Sequence, residues 1–117
     1  NFSLLQTRSA DRGRTWSKPI ALKFHGAPPH LLYHSAGAIV GVYGCRQAPF
    51  GQRAMVSSDG GETWQYDYIL RDDGVDTDLG YPSSVELGDG SLFSVYYQKE
   101  RGPSDKCSLL WTRWWLP

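Results

Sequence analysis

The sequence lacks both a long hydrophobic run and an excess of charge of either sign. Its longest apolar stretch falls far short of the ~20 residues that a membrane-spanning helix needs. Among 117 residues, 12 Lys and Arg balance 12 Asp and Glu, so no long-range field attracts a polyanion. We therefore expect neither nucleic acid nor a membrane as the partner, and a small or locally charged ligand is the better prediction.

Cysteine is also scarce. Only Cys45 and Cys107 are present, without the CxxC spacing of zinc and redox motifs. Scattered cysteines are more often free than bridged, and we expect these two to be free, with one disulfide as the alternative. A phosphate-binding glycine loop, a GxSxG elbow and an HExxH motif are all missing. The sequence therefore predicts no cofactor.

Three histidines, His25, His30 and His34, raise the question of a metal site. On one strand, His30 and His34 would lie ~13 Å apart at ~3.3 Å per residue, too far for one ion with bonds of ~2 Å. No metal site is predicted. His30, at the start of a predicted strand, is instead a candidate polar contact to a ligand, and a hydrogen-bonded structural role is the alternative.

Aromatic residues are abundant, at 14% of the chain with five Trp and seven Tyr. The segments between Gly, Pro and Asp are short and show almost no helical periodicity. This pattern predicts an all-β chain. The predicted strands are Phe2–Ser9, Thr15–Leu22, His30–His34, Ala38–Gly44, Gln52–Ser58, Thr63–Leu70, Ser83–Leu87, Ser91–Lys99 and Lys106–Leu116.

A short motif occurs twice, as SADRGRTW (9–16) and SSDGGETW (57–64), 48 positions apart. In a strand-turn-strand joint, the Asp carboxylate can accept several backbone N–H groups, and the Gly supplies a left-handed backbone. The Thr is expected to open the next strand, and the Trp to pack between neighbouring sheets. We therefore interpret both motifs as turns rather than catalytic sites. The residues with these roles are Asp11, Gly13, Thr15 and Trp16, and Asp59, Gly61, Thr63 and Trp64.

A second repeat indicates the architecture. PPHLLYHSAGAIVGVY (28–43) aligns with YPSSVELGDGSLFSVY (81–96) at an offset of 53. A unit of roughly 50 residues with four strands is the size of one β-propeller blade. The chain then divides into the outer strands of one blade (1–24), a complete blade (28–70) and the inner strands of a last blade (81–117). This is a single partial propeller of about two and a quarter blades. We expect either a longer protein or a homo-oligomer that completes the ring.

The pattern SxDxGxTW resembles the Asp-box, or BNR repeat, of the sialidase superfamily. The resemblance spans almost the whole chain but only about the last third of such a fold. It implies a β-propeller with Asp-box hairpins and a glycan or small carbohydrate ligand. It also implies a secreted or periplasmic parent protein. Because Asp-boxes occur in non-catalytic propellers as well, they argue for the fold better than for the chemistry.

The resemblance also points to site residues. Sialidases use three arginines to bind the sugar carboxylate and a Tyr nucleophile. Arg53, in FGQRAMVSSDGGETW, occupies the place of the third arginine, and Tyr81, in DLGYPSSVELGDG, that of the nucleophile. A guanidinium binds a carboxylate through two parallel hydrogen bonds, and a neutral phenol approaches an anionic substrate without repulsion. The alternatives are an ion pair of Arg53 with Asp67 and a channel-filling role for Tyr81.

Two further residues complete the predicted site. Arg46 follows a strand near the same loops and is a second candidate positive contact, with a solvated loop arginine as the alternative. Asp78 lies in the acidic loop RDDGVDTDLGYP just before Tyr81 and is the preferred acid/base candidate. A charged loop that is only solvated is its alternative.

Two departures from the sialidase pattern keep three hypotheses open. Pro82 follows Tyr81 where many sialidases have Ser, and Gln98 stands where an acidic residue commonly orients an arginine. The first hypothesis is a retaining, sialidase-like glycoside hydrolase acting on terminal acidic sugars. The second is a non-catalytic propeller that binds a glycan or a protein. The third is an inactive, self-associating fragment.

Overall fold

The structure is a computed structural model that describes residues 3–103 and 105–117. Within these residues it contains nine β-strands and no helix, which confirms the all-β prediction. Phe2, in the first predicted strand, lies outside the described residues. The strands are β1 (Ser3–Gln6), β2 (Ile20–His25), β3 (Pro29–His34), β4 (Ala38–Cys45), β5 (Gly51–Ser57), β6 (Gln65–Arg71), β7 (Leu79–Glu86), β8 (Leu92–Lys99) and β9 (Cys107–Trp114).

The strands form three antiparallel sheets. The first sheet contains β1 and β2, the second contains β3 to β6 in sequence order, and the third contains β7 to β9 in sequence order. This grouping of two, four and three strands is the one that the repeats predict. Within each sheet, neighbouring strands are consecutive in the sequence, as expected for antiparallel meanders.

The predicted strand Thr15–Leu22 is wrong in position, because the observed strand is Ile20–His25. The backbone N–H of Ser17 donates to the carbonyl of Arg8 at 2.8 Å, closing the turn before the strand begins. Pro19 has no N–H for a ladder hydrogen bond and sits just ahead of the first paired residue. The apolar Trp16 before Pro19 and the run from Ile20 to Leu22 after it give the sequence the pattern of a strand that begins earlier.

The strand β7 begins at Leu79, four residues before the predicted start at Ser83. Leu79 and Gly80 already pair with β8, and the register then shifts before Ser83. Pro82 lies in this irregularity, where its missing N–H costs no ladder hydrogen bond. The sequence pattern treats Pro82 as a strand boundary, whereas the structure accommodates it in a bulge.

The two copies of the repeated motif form the same turn. In each copy the Ser hydroxyl donates to the Asp carboxylate and accepts the Gly N–H, and the Asp accepts both the N–H and the hydroxyl of the Thr. Gly13 and Gly61 both have φ of 85°. Contrary to the prediction, Thr15 and Thr63 lie before the next strand rather than in it, because the Asp holds them in the turn.

The two Trp residues of the motifs differ in their packing. The indole N–H of Trp64 donates to Gln6 Oε1 at 2.9 Å, and Gln6 Nε2 donates to the carbonyl of Gly61 at 2.9 Å, so the second turn is fastened to the first sheet. Trp16 is 61% exposed and its indole N–H donates within its own turn, to Gly13. The prediction of packing between sheets is therefore wrong for Trp16, whose ring no described sheet covers.

The second sheet is the middle layer and carries a core on each face. Strand alternation points the side chains of β4 and β5 to the first and third sheets in turn. The core with the first sheet contains Leu4, Phe24, Tyr43 and Met55. The core with the third sheet contains Val40, Val42, Ala54, Leu92 and Trp114.

Candidate functional site

The connections between strands lie at two ends of the sheets. The repeated turns and the hairpins after β3 and β7 occupy one end. The opposite end, called here the loop end, carries residues 26–28, 46–50, 72–78, 100–103 and 105–106. Tyr81, Asp78 and Arg46, three of the predicted site residues, are all in or next to these loops.

Tyr81 is exposed at the loop end in a strained conformation. Its φ is 49°, in the left-handed region that bulky residues avoid, and its side chain is 66% exposed. The Tyr81 ring contacts the ring of Tyr97, with 5.9 Å between centroids. The Tyr81 hydroxyl makes no hydrogen bond to any described residue, so this phenol faces solvent.

Asp78 is held in place from several directions. The Tyr97 hydroxyl donates to Asp78 Oδ1 at 2.9 Å, and the Cys107 thiol donates to Asp78 Oδ2 at 3.5 Å. The backbone N–H of Lys99 donates to the Asp78 carbonyl at 3.2 Å. The carboxylate of Asp78 thus contacts Tyr97 and Cys107 rather than Tyr81.

The same contacts shift the ionisation of the two donors. Burial, followed by the hydrogen bond to Asp78 and the charge of Asp78, raises the pKa of the Tyr97 phenol above its usual 10.0. Burial and the same carboxylate raise the pKa of the Cys107 thiol above its usual 9.0. Both groups therefore stay protonated donors at neutral pH. Cys107 and Cys45 are free, as expected.

Arg46 lies beside the same group. Its Nη2 donates to the carbonyl of Leu79, the first residue of β7, at 3.1 Å. The positive charge of Arg46 also opposes the rise in the pKa of Tyr97. Arg46 therefore lies near Asp78, Tyr97 and Tyr81, and these four residues are called here the Tyr81 group.

Arg53 lies in a different environment, on the side of the second sheet that faces the first. Its guanidinium donates to the carbonyls of Arg71 at 2.6 Å and Pro49 at 2.9 Å, and its Nε lies 3.6 Å from Asp67 Oδ1. The side chain is only 4% exposed and lines a cavity of about 250 Å³. The hydrogen bonds and the ion pair of Arg53 thus go to Arg71, Pro49 and Asp67 rather than to Tyr81, Asp78 or Tyr97.

His30 links two sheets. Its Nδ1 accepts the backbone N–H of Ser84 at 3.2 Å, so β3 of the second sheet is fastened to β7 of the third. This hydrogen bond corresponds to the alternative that the sequence analysis gives for His30, a structural role instead of contact with a ligand. Within residues 3–103 and 105–117, no cluster of three or more His, Cys, Asp or Glu side chains is arranged to hold a metal ion.

Sequence reasoning missed Tyr97 and underrated Asp73. Tyr97 has no tyrosine counterpart in the repeat, because the position 53 residues earlier is Gly44. Asp73 accepts from Gln98 Nε2 at 2.9 Å and from Arg71 Nη2 at 2.8 Å. The loop at 72–78 thus supplies a carboxylate beside Gln98, a contact that strand alternation alone does not reveal.

Comparison with known proteins adds support for the arrangement of the sheets. No family model and no curated protein matches the chain. A crystal structure of a protein of unknown function from Dyadobacter fermentans matches with a TM-score of 0.84 at 29% sequence identity, covering 96% of this chain and 31% of that protein. The chain therefore spans less than a third of the length of that protein.

Proposed function

We propose that the three sheets are blades of an Asp-box β-propeller of the sialidase superfamily. Three observations support this proposal. The two SxDxGxTW turns share their hydrogen bonds, and both turns precede the last strand of their sheet. The close match to a chain about three times as long is consistent with a larger ring. Loops at one end of a propeller are the usual place for its ligands.

We propose further that the complete protein hydrolyses glycosides of an acidic sugar with Tyr81 as the nucleophile. The observation that carries this function is the conformation of Tyr81, a bulky residue with φ of 49° that exposes a phenol at the loop end. Such strain costs about 1–3 kcal/mol and is typical of functional sites.

The chemistry assigns roles to three members of the Tyr81 group. The Tyr81 oxygen attacks the anomeric carbon, an acid protonates the departing oxygen, and water then hydrolyses the glycosyl–tyrosine bond with retention. Asp78 is the candidate acid, and Arg46 is the candidate partner of the sugar carboxylate. The described residues place no carboxylate on the Tyr81 hydroxyl, so the base that takes its proton lies elsewhere in the complete protein.

The test is Tyr81→Phe in the full-length protein, assayed with fluorogenic glycosides of sialic acid and of glucuronic acid. Loss of the nucleophile should lower kcat by roughly three orders of magnitude or more without unfolding the protein. Tyr33→Phe is the matched control, because Tyr33 is an exposed tyrosine on β3 outside the Tyr81 group. Full turnover by Tyr81→Phe would remove Tyr81 from the mechanism.

A non-catalytic glycan-binding propeller is the second candidate, and a specific observation favours it. The carboxylate of Asp78 is committed to Tyr97 and Cys107, while the rings of Tyr81 and Tyr97 form an exposed aromatic pair. Such a pair suits stacking against a sugar ring. Binding of the full-length protein on a glycan array without release of product would support this candidate, and product would support the hydrolase.

A further inference from the structure

Tyr97 occupies a central place in the Tyr81 group. It contacts Tyr81 through its ring, with centroids 5.9 Å apart, and Asp78 through its hydroxyl, at 2.9 Å from Oδ1. No hydrogen bond joins Tyr81 to Asp78 among the described residues. The relative position of the two candidate catalytic groups therefore depends on the side chain between them.

The strand pairing explains how Tyr97 reaches both groups. On β8, Tyr96 is buried toward the second sheet and donates to or accepts from Thr112, so Tyr97 faces the opposite side. Tyr97 pairs with Gly80 on β7, which has no side chain to compete for the space. The φ of Gly80 is 118°, and the irregularity that follows turns Tyr81 toward the ring of Tyr97.

We propose that Tyr97 is a positioning residue of the proposed site: its hydroxyl orients the carboxylate of Asp78, and its ring orients the phenol of Tyr81. This inference rests on the proposed function, because it assigns Tyr97 a task in the same site. We assign the nucleophile to Tyr81 rather than to Tyr97, because the Tyr81 side chain is exposed whereas Tyr97 is half-buried.

The charged and polar groups around Tyr97 favour a phenol that stays protonated and donates a hydrogen bond. Asp78 is the carboxylate in contact with it, Arg46 is the nearby cation, and the Cys107 thiol shares the same carboxylate. Burial and Asp78 raise the pKa of Tyr97, and Arg46 lowers it by a smaller amount. The phenol therefore keeps its proton, and its hydrogen bond to Asp78, throughout the neutral range.

The test compares Tyr97→Phe with Tyr97→Leu in the full-length protein, using the same fluorogenic glycosides. Tyr97→Phe keeps the ring contact and loses only the hydrogen bond to a charged group. We expect kcat to fall roughly 10- to 100-fold while KM changes little. Tyr97→Leu, which also loses the ring, should lower kcat further. Tyr33→Phe should match the wild type, and an unchanged kcat in Tyr97→Phe would overturn the proposal.

A double-mutant cycle separates positioning from a merely structural role. If the Tyr97 hydroxyl acts through Asp78, then Tyr97→Phe should cost nothing further in an Asp78→Asn background. Fully additive losses would overturn the proposed route. A kcat that falls together with the melting temperature in every variant would indicate a structural role instead and would also overturn it.

A measurement that does not depend on turnover tests the hydrogen bond between Tyr97 and Asp78 separately from the proposed function. In an NMR titration with ring-labelled tyrosine, Tyr97 should deprotonate above the usual phenol pKa of 10.0, and Asp78→Asn should shift that titration to lower pH. No shift would show that the hydrogen bond is absent in solution and would overturn the inference. If the wild type hydrolyses none of the glycosides but the titration behaves as expected, the hydrolase proposal fails and the contact stands.

Discussion

In each repeated turn, two consecutive residues have a left-handed backbone. Gly60 and Gly61 have φ of 72° and 85°, whereas Arg12 and Gly13 have 59° and 85°. A non-glycine residue pays a steric penalty in this region, because its Cβ approaches the backbone carbonyl. The double glycine of SSDGGETW therefore fits the turn at both positions, and SADRGRTW fits it at only one.

We predict that Arg12→Gly stabilises the protein and that Gly60→Arg destabilises it. The size should be roughly 0.5–1 kcal/mol in each case, after the larger unfolded-state entropy of glycine is subtracted. A Cβ at position 60 would meet no atom within 4 Å, so backbone strain alone is tested there. Thermal unfolding of the reciprocal pair is the measurement, and a loss of stability in Arg12→Gly would contradict the prediction.

The Asp residues of these turns should make stability depend on acid pH. Hydrogen bonds from the Thr63 hydroxyl first, then from the Thr63 N–H and the Ser57 hydroxyl, lower the pKa of Asp59 from 3.8 to about 2. A lowered folded-state pKa stabilises the fold above the unfolded value, and this contribution disappears as the pH falls through about 2. The sensitive window therefore runs from about pH 4 down to about pH 2.

The comparison is Asp59→Asn with the wild type in melting experiments across that window. The variant should melt at a lower temperature at pH 7, and the gap should close as the pH falls toward 2. Asp72→Asn is the matched control, because its carboxylate makes no hydrogen bond or ion pair with a described residue. A gap that stays constant with pH would mean that the charge of Asp59 is not what the turn uses.

Sequence patterns could predict the turns but only part of the site. Tyr81 and Asp78 stand out because a motif and an acidic loop mark them. No motif in the sequence indicates Tyr97. The role proposed for it depends on its pairing with Gly80 and on the β-bulge that follows, and composition reveals neither. For Arg53 the sequence signal is clear, but the structure differs from the prediction. Its guanidinium donates to backbone carbonyls of Arg71 and Pro49.

At the scale of strands, β5 contains a polar side chain in an apolar position. Gln52 is 0% exposed on the face toward the third sheet, and neither amide atom has a hydrogen-bond partner among the described residues. Burying an unpaired amide costs roughly 1–3 kcal/mol. We predict that Gln52→Met, which has a similar volume, raises the free energy of unfolding by about that amount in denaturant titrations.

Gln98 on β8 gives the matched contrast. It is also buried, but its Nε2 donates to Asp73, which fastens the loop at 72–78. Gln98→Met should therefore lower the stability. If Gln52→Met were destabilising as well, the amide of Gln52 would have to be hydrogen-bonded in solution.

The presence of the strands is easier to predict from the sequence than the positions of their ends. Repeats at 48 and 53 positions group the nine strands into three sheets without any need for exact ends. The ends depend on Pro19 and Pro82, and a proline can either stop a strand or sit in a bulge. Only the partner strand decides between these outcomes, and the sequence of one strand does not contain that information.

For the whole molecule, the important feature is a face of the third sheet that no other described sheet covers. Val40 and Val42 are fully buried by the third sheet, and the repeat maps them onto Phe93 and Val95 of the third sheet itself. The face that carries Phe93 and Val95 is only half-buried, and Trp111, stacked on Phe93, is 60% exposed. Positions that belong to a core in the second sheet thus remain partly exposed at the equivalent places in the third sheet.

We predict that the isolated 117-residue chain self-associates through this face. Apolar side chains in a continuous patch favour burial against another sheet, and an open arc of sheets supplies such faces in every copy. Light scattering after size exclusion, across a concentration series, should give a mass above 13.1 kDa that falls on dilution. Trp111→Lys should shift the equilibrium toward the monomer, because a charge cannot enter an apolar interface without a large cost.

The Trp16→Lys variant distinguishes association through this face from non-specific hydrophobic association. Trp16 is as exposed as Trp111, at 61% against 60%, but it projects from a turn rather than from the sheet face. If the association uses the third sheet, Trp16→Lys should leave the mass unchanged. A monomer at every concentration would mean that the open face is tolerated in water. The proposed ring would then have to be completed by further sheets of a longer protein rather than by copies of this chain.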